Sequence, residues 1–346
     1  MRDYVYQRPM VLGLLLSAAT AALLLTGMLA GSTGLDDWHA LAALLGLAPP
    51  EADSPMMAQI VWQIRMPRSI GAWLAGALLG LAGALAQAVF RNPLADPYLL
   101  GSASGASLGV CLALVALDGS LVHMHWLARL GLTGAAFVGA MLAVAMTAAL
   151  ASGMAQTLRL LLAGVVVAVV LGAGTSLVLQ MYPHLLQSMQ GFMLGSTAFV
   201  GWDSCALMLA ALLPGLALAM VTGRWLDGLA LGEQTAMSLG LPVRPLRWVL
   251  IITLALATGA AVAHTGLIAF VGLAAPHITR RMVRWGSRHG VLLASLMGGL
   301  LLVAADLLAR VVIAPRELPV GVLTALIGGA YLLWLMRRHH HRGGVS

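Results

Sequence analysis

Apolar runs close to the length needed to cross a bilayer recur along this chain, at about 10–30, 66–90, 98–117, 129–151, 159–180, 194–222, 246–268, 290–310 and 319–336. A shorter and more basic run at 275–286 lies between two of them. About 20 predominantly apolar residues span a bilayer core, and lipid offers no partner to backbone N–H and C=O groups, so each run must close its own hydrogen bonds as a helix. A mean hydropathy of +0.94, with 60% hydrophobic and 9% charged residues, leaves no stretch for a soluble domain of ordinary size. The chain is therefore expected to be an all-α polytopic membrane protein with a single membrane domain over 1–346. Its first run follows a basic N-terminus, as in a signal peptide, but is longer than a usual h-region and reads as an uncleaved first helix.

The 19 basic residues are all arginine, and the formal net charge is +7. In a soluble chain that balance would raise the question of nucleic acid; in a membrane chain the arginines are first counted by side. With the N-terminus inside, fourteen fall on the cytoplasmic side and five outside, namely Arg65, Arg68, Arg129, Arg310 and Arg316. This satisfies the positive-inside rule, so both termini are expected in the cytoplasm, with membrane lipid rather than nucleic acid as the surrounding partner. Residues 31–64 form an outer loop carrying four acids and a short apolar patch, Leu41 to Leu47, read as a surface helix. Cys111 and Cys205 lie in apolar runs without a CxxC or Cys/His spacing, and His123 and His125, two apart, do not share a helix face. No metal site is expected.

The densest stretch is Arg65 to Ala106. Gly71, Gly76, Gly80 and Gly83 dot its apolar helix, and such spacing lets another backbone approach where lipid supplies no hydrophobic drive for association. Pro93 and Pro97 then break the helix, and Asn92 and Asp96 are positioned to cap the next one. With Arg65, Pro67, Arg68, Gly76, Gly83, Gln87, Asn92, Pro93, Leu94, Ala95, Pro97, Gly101, Ser104, Gly105 and Ala106 in order, the stretch resembles the permease family of ABC importers for iron-siderophores, haem and vitamin B12. The resemblance returns at Gly266, Ile268, Phe270 to Leu273, Pro276, His277 and Arg280, and again at Asp306, Arg310, Glu317 to Gly321, Thr324 and Gly328. The family fold has ten helices, which makes 275–286 the eighth span. Gly266 precedes Pro276 by ten residues, as Gly83 precedes Pro93, suggesting that spans two to five and seven to ten are internal repeats of the kind that frame transport pathways. Asp306 and Arg310, four apart, share a helix face on which an acid can hold a base.

The resemblance implies a bacterial inner-membrane permease working by alternating access as a homodimer. Its implied partners are two cytoplasmic ABC ATPase subunits and a periplasmic substrate-binding protein. No cofactor is expected on this chain; ATP and Mg belong to the ATPase, and no P-loop GxxxxGK followed by Ser or Thr occurs here. Residue by residue, the resemblance makes Arg65 and Arg310 the docking points for acidic residues of the binding protein. It makes Asn92, Pro93 and Leu94, with Thr157 and Leu158, the cytoplasmic gate; Leu158 replaces the family's serine. Gly228, Glu233, Ala236, Leu239 and Gly240 become the ATPase-coupling residues of the loop 223–247, which by pattern alone reads rather as a solvated juxtamembrane helix. His264 stands where the resembling importer is apolar and is either a haem contact or an interfacial histidine. The cargo stays open: the segment 61–68 is near the vitamin B12 permease, whereas His39, His184 and His264 tilt towards haem. An intramembrane enzyme would need HExxH, GxSxG or paired carboxylates within spans, and an ion-coupled carrier would need intramembrane acids; Asp306 is the only acid well inside a span.

Overall fold

The computed structural model describes residues 9–29, 59–117, 126–151, 157–283 and 287–340, which form thirteen α-helices and no strand. In order these are α1 (Pro9–Leu29), α2 (Met66–Val89), α3 (Ser102–Ala116), α4 (Trp126–Leu150), α5 (Thr157–Met181) and the short α6 (Leu186–Leu194). They continue with α7 (Trp202–Val221), the short α8 (Gly223–Ala230) and α9 (Glu233–Ser238), then α10 (Val243–Thr265), α11 (Val271–Met282), α12 (Ser287–Val311) and α13 (Val320–His340). Among the described residues seven helical segments are long and apolar enough to cross a membrane, and 102–116 and 320–334 are shorter apolar helices. The chain is a multi-pass membrane protein.

The glycine-dotted helix is the central post. Nearly all of α2 is buried, and it packs along α12, α10, α11 and α7. At Gly76 and Gly80 a Cβ would collide with the carbonyl oxygens of Gly298 and Ala294 on α12, and at Gly83 with that of Gly272 on α11. Backbone therefore meets backbone along one face of α2, the geometry that small residues permit in lipid. Ser295 adds a bond from its hydroxyl to the Ala77 carbonyl at 2.9 Å.

The repeat is visible in which helix meets which. The first helix of each repeat, α2 or α10, packs on the third helix of the other, α12 or α4, and α2 and α10 pack on each other. Within each repeat the second helix lies along the third, α3 on α4 and α11 on α12. The breaks that follow α2 and α10 are tied together by Tyr98, whose hydroxyl donates to the Ile268 carbonyl at 3.0 Å.

Four expectations change. The outer loop ends earlier than residue 64, because residues 59–60 are already helical and lead through a π turn, Val61–Arg65, into α2. The surface-helix reading at Leu41 to Leu47, and His39, His123 and His125, lie outside the described residues. The sixth run is not one helix from 194: α6 ends at Leu194, Gly195 turns with φ 67°, the Ser196 hydroxyl accepts from the Ala198 N–H, and α7 starts at Trp202. The eighth helix is Val271–Met282, starting after Phe270 at φ 68°. The Gly-to-Pro spacing is also out of register, since Gly83 is inside α2 while Gly266 is in a break, and Pro93 is in a break while Pro276 is inside α11. The repeat rests on packing, not on that spacing.

Gly83→Val is expected to destabilise the purified chain by about 1–3 kcal/mol or more, because the side chain must displace the α11 backbone. Gly131→Ala, with nothing within 4 Å of the added carbon, is the control. Equal thermal unfolding midpoints for the two variants would refute the packing account.

Candidate functional site

At one end of the bundle a charged network joins four parts of the chain. Arg68, at the start of α2, donates from Nε and Nη2 to Asp306 Oδ1 at 3.2 and 3.0 Å, and from Nη1 to Glu317 at 3.0 Å. Arg310, one turn beyond Asp306 on α12, pairs with the other carboxylate oxygen of Asp306 and donates to the Gly27 carbonyl at 3.0 Å and the Ser69 hydroxyl at 3.2 Å. Thr197, in the turn before α7, donates to Asp306 Oδ1. Arg65 Nη1 reaches the Met28 and Leu29 carbonyls at 3.4 and 3.3 Å. The last carbonyls of a helix lack intrahelical donors and carry partial negative charge, so Arg65 and Arg310 both cap α1.

The expected acid–base pair on α12 is present, but its surroundings differ from the docking role the resemblance gave Arg310. Its side chain is 3% exposed, and the guanidinium faces a carboxylate, a hydroxyl and a backbone carbonyl rather than a surface. Arg65 is half-buried, and Arg316, in the turn after α12, is exposed. Asp306 is held between two arginines instead of standing as an isolated intramembrane acid.

The opposite end carries most of the remaining described arginines. There the break after α2 folds tightly: Arg91 adopts φ 48°, the Asn92 side chain accepts from the Leu94 N–H at 2.9 Å, and Asp96 accepts from the Tyr98 N–H at 2.8 Å. Asn92, Pro93 and Leu94 are exposed. Pro93 lines a cavity of about 400 Å³ together with Gln87, Arg91, Asp227 and Arg280. Gln87 bridges its floor, donating to the Leu273 carbonyl at 3.2 Å and accepting from Arg280. Leu158 is exposed on α5 and forms no part of this wall, and the Thr157 side chain is outside the described residues. Asn92, Pro93 and Leu94 are consecutive in this break, and Leu158 stands on a separate helix.

The loop 223–247 forms two short helices on the same end. Gly228 is buried against Leu241 and Ala236 is wholly buried, so both hold the loop together. Leu231, Met237 and Leu239 are exposed, and Gly240 turns at φ 76° in open space. The Glu233 side chain is outside the described residues. His264 is partly buried near the end of α10. Among the described residues no three His, Cys, Asp or Glu side chains converge as a metal site.

Residues 18–338 match the family model described as the FecCD transport family. The chain belongs to the FecCD transport family. It is 36% identical over 304 residues to the vitamin B12 import system permease protein BtuC of Vibrio cholerae, covering 87% of this chain and 90% of that one. It is 38% identical over 292 residues to the hemin transport system permease protein HmuU of Yersinia pestis, covering 82% and 85%. A solved inward-facing transporter assigned to the metal-chelate ABC type shares the fold with a TM-score of 0.82 at 26% identity, over 96% of this chain and 100% of that one. The Arg68–Thr197–Asp306–Glu317 network escaped sequence reasoning because its members are up to 249 residues apart; only the Asp306–Arg310 spacing signalled it.

Removing the shared carboxylate leaves two arginines without their central partner, so Asp306→Asn is expected to destabilise the FecCD-family chain by about 3–5 kcal/mol. Glu317→Gln, at the more exposed edge of the network, should cost no more than about 1 kcal/mol. Thermal unfolding of both variants in detergent checks the order; the reverse order would show that Asp306 is not the centre.

Proposed function

We propose that this chain is the transmembrane subunit of a bacterial ABC importer that moves a bulky metal chelate across the inner membrane by alternating access. It works as a homodimer, with both termini in the cytoplasm, two ATPase subunits at the arginine-rich end and a substrate-binding protein at the other. The observation that carries this reading is the family match over residues 18–338, joined to a repeat whose broken connections meet at Tyr98 and Ile268. Broken helices at repeat interfaces are where transporters of this kind place their pathways.

The exposed apolar tips of the 223–247 loop support the coupling role. Leu231, Met237 and Leu239 face outward with no neighbour from their own chain to cover them fully, which suits insertion into a groove of an ATPase subunit. For the binding protein, Arg65 and Arg316 offer accessible charge to an acidic partner, and Arg310 supports that surface from beneath. The cargo class is a corrinoid, haem or ferric siderophore. Relatives that carry vitamin B12 and hemin are about equally similar, so overall identity does not choose between them.

ATPase activity of the reconstituted complex, with its binding protein loaded in turn with cyanocobalamin, haemin or a ferric siderophore, tests the assignment. Stimulation by one loaded form is expected and names the cargo; none, with all partners assembled, would refute it. In the same assay Arg65→Glu with Arg316→Glu should abolish stimulation while the complex stays assembled, whereas unchanged stimulation would remove the docking surface.

Gly240→Arg together with Leu239→Arg is expected to block co-purification of the ATPase or to uncouple hydrolysis from transport. Normal transport by that variant would exclude the loop as the coupling element.

A further inference from the structure

The two repeats differ in how their last helix packs. In the first, α5 lies closely along α3; in the second, its counterpart α13 stands away from α11. Phe270, at the head of α11, touches α13, its ring lying against Gly328. The space left between α11, α12 and α13 is a cavity of about 310 Å³. Ala274 and Ile278, Leu301 and Ala304, and Ile327 and Tyr331 wall it. The hydroxyl of Thr324, also in the wall, is already spent on the Gly321 carbonyl. Such a wall gives water and a polar chelate nothing to bind, and it suits an equally apolar occupant.

The rim identifies the occupant. On α11 the Ala274–Ile278 stripe continues three residues later to Arg281, which is exposed at the arginine-rich end. On α13 it continues to Trp334, stacked on Tyr331 with ring centroids 6.2 Å apart. A cation and stacked aromatic rings beside the mouth of an apolar slot match the headgroup level of a lipid leaflet. We propose that the groove between α11, α12 and α13 holds an acyl chain of an anionic phospholipid from the leaflet at the arginine-rich end, with the lipid phosphate at Arg281. The lipid takes the place that close contact between α3 and α5 fills in the first repeat. It therefore supports α13 without fixing it directly to α11.

Native mass spectrometry of the full chain, delipidated in detergent and then exposed to phosphatidylglycerol or phosphatidylcholine, tests this. The wild type should retain phosphatidylglycerol in preference to phosphatidylcholine. Ala304→Leu, which fills the slot from α12, should lower retention of both at least several-fold. Arg281→Gln, at an exposed position, should lower the preference for the anionic lipid by about fivefold, the effect of one basic residue at a headgroup. Equal retention by wild type and Ala304→Leu, or an unchanged preference in Arg281→Gln, would overturn the proposal. So would an interchain disulfide formed by Ile327→Cys in membranes, which would give the groove to a second copy of the chain; the native Cys111 and Cys205 are buried and do not compete.

Discussion

Lipid gives two apolar helices no hydrophobic reason to associate, and the structure answers that constraint with close backbone contact around α2. Gly76, Gly80 and Gly83 bring α2 against α12 and α11 so closely that a single methyl group would strike a carbonyl oxygen. Dispersion contacts at that distance, with the Ser295-to-Ala77 bond, replace the water-driven collapse of a soluble core. Both repeats, the charged network and the cavity beside Pro93 are hung on this post.

The network at one end and the cavity at the other are consequently linked by a rigid element. Arg68 opens α2 and is held by Asp306 and Glu317; Gln87 closes α2 and is held by Arg280 and the α11 backbone. In the proposed importer cycle, binding at the first end and ATP-driven movement at the second act on the two ends of one buried helix. In contrast, α5 and α13 are exposed along much of their length and have far less packing to restrain them.

Much of the fold was legible from residues alone. Run length marked α1, α4, α5, α10 and α12 to within a few residues, because a helix in lipid must satisfy its own backbone. The glycine spacing of α2 correctly indicated burial. The sixth run was misread because hydropathy does not register Gly195, whose positive φ ends α6 while the surrounding residues stay apolar. The site was less legible. Arg65 and Arg310 were recognised as special, but a one-dimensional pattern does not show whether a guanidinium faces an outer partner or the carbonyls of α1.

By itself, then, the sequence determined the all-helical membrane class, the approximate limits of most long helices, the helix meant for close packing, and membership of the FecCD family. Those properties depend on local composition and on spacing along one helix. Tertiary structure alone decided that Arg310 is buried against Asp306 and Gly27, that Tyr98 joins the two breaks, and that α13 stands off α11 where α5 lies along α3. Each depends on residues far apart in the chain meeting at distances of a few ångström, and nothing local in the sequence encodes such a meeting.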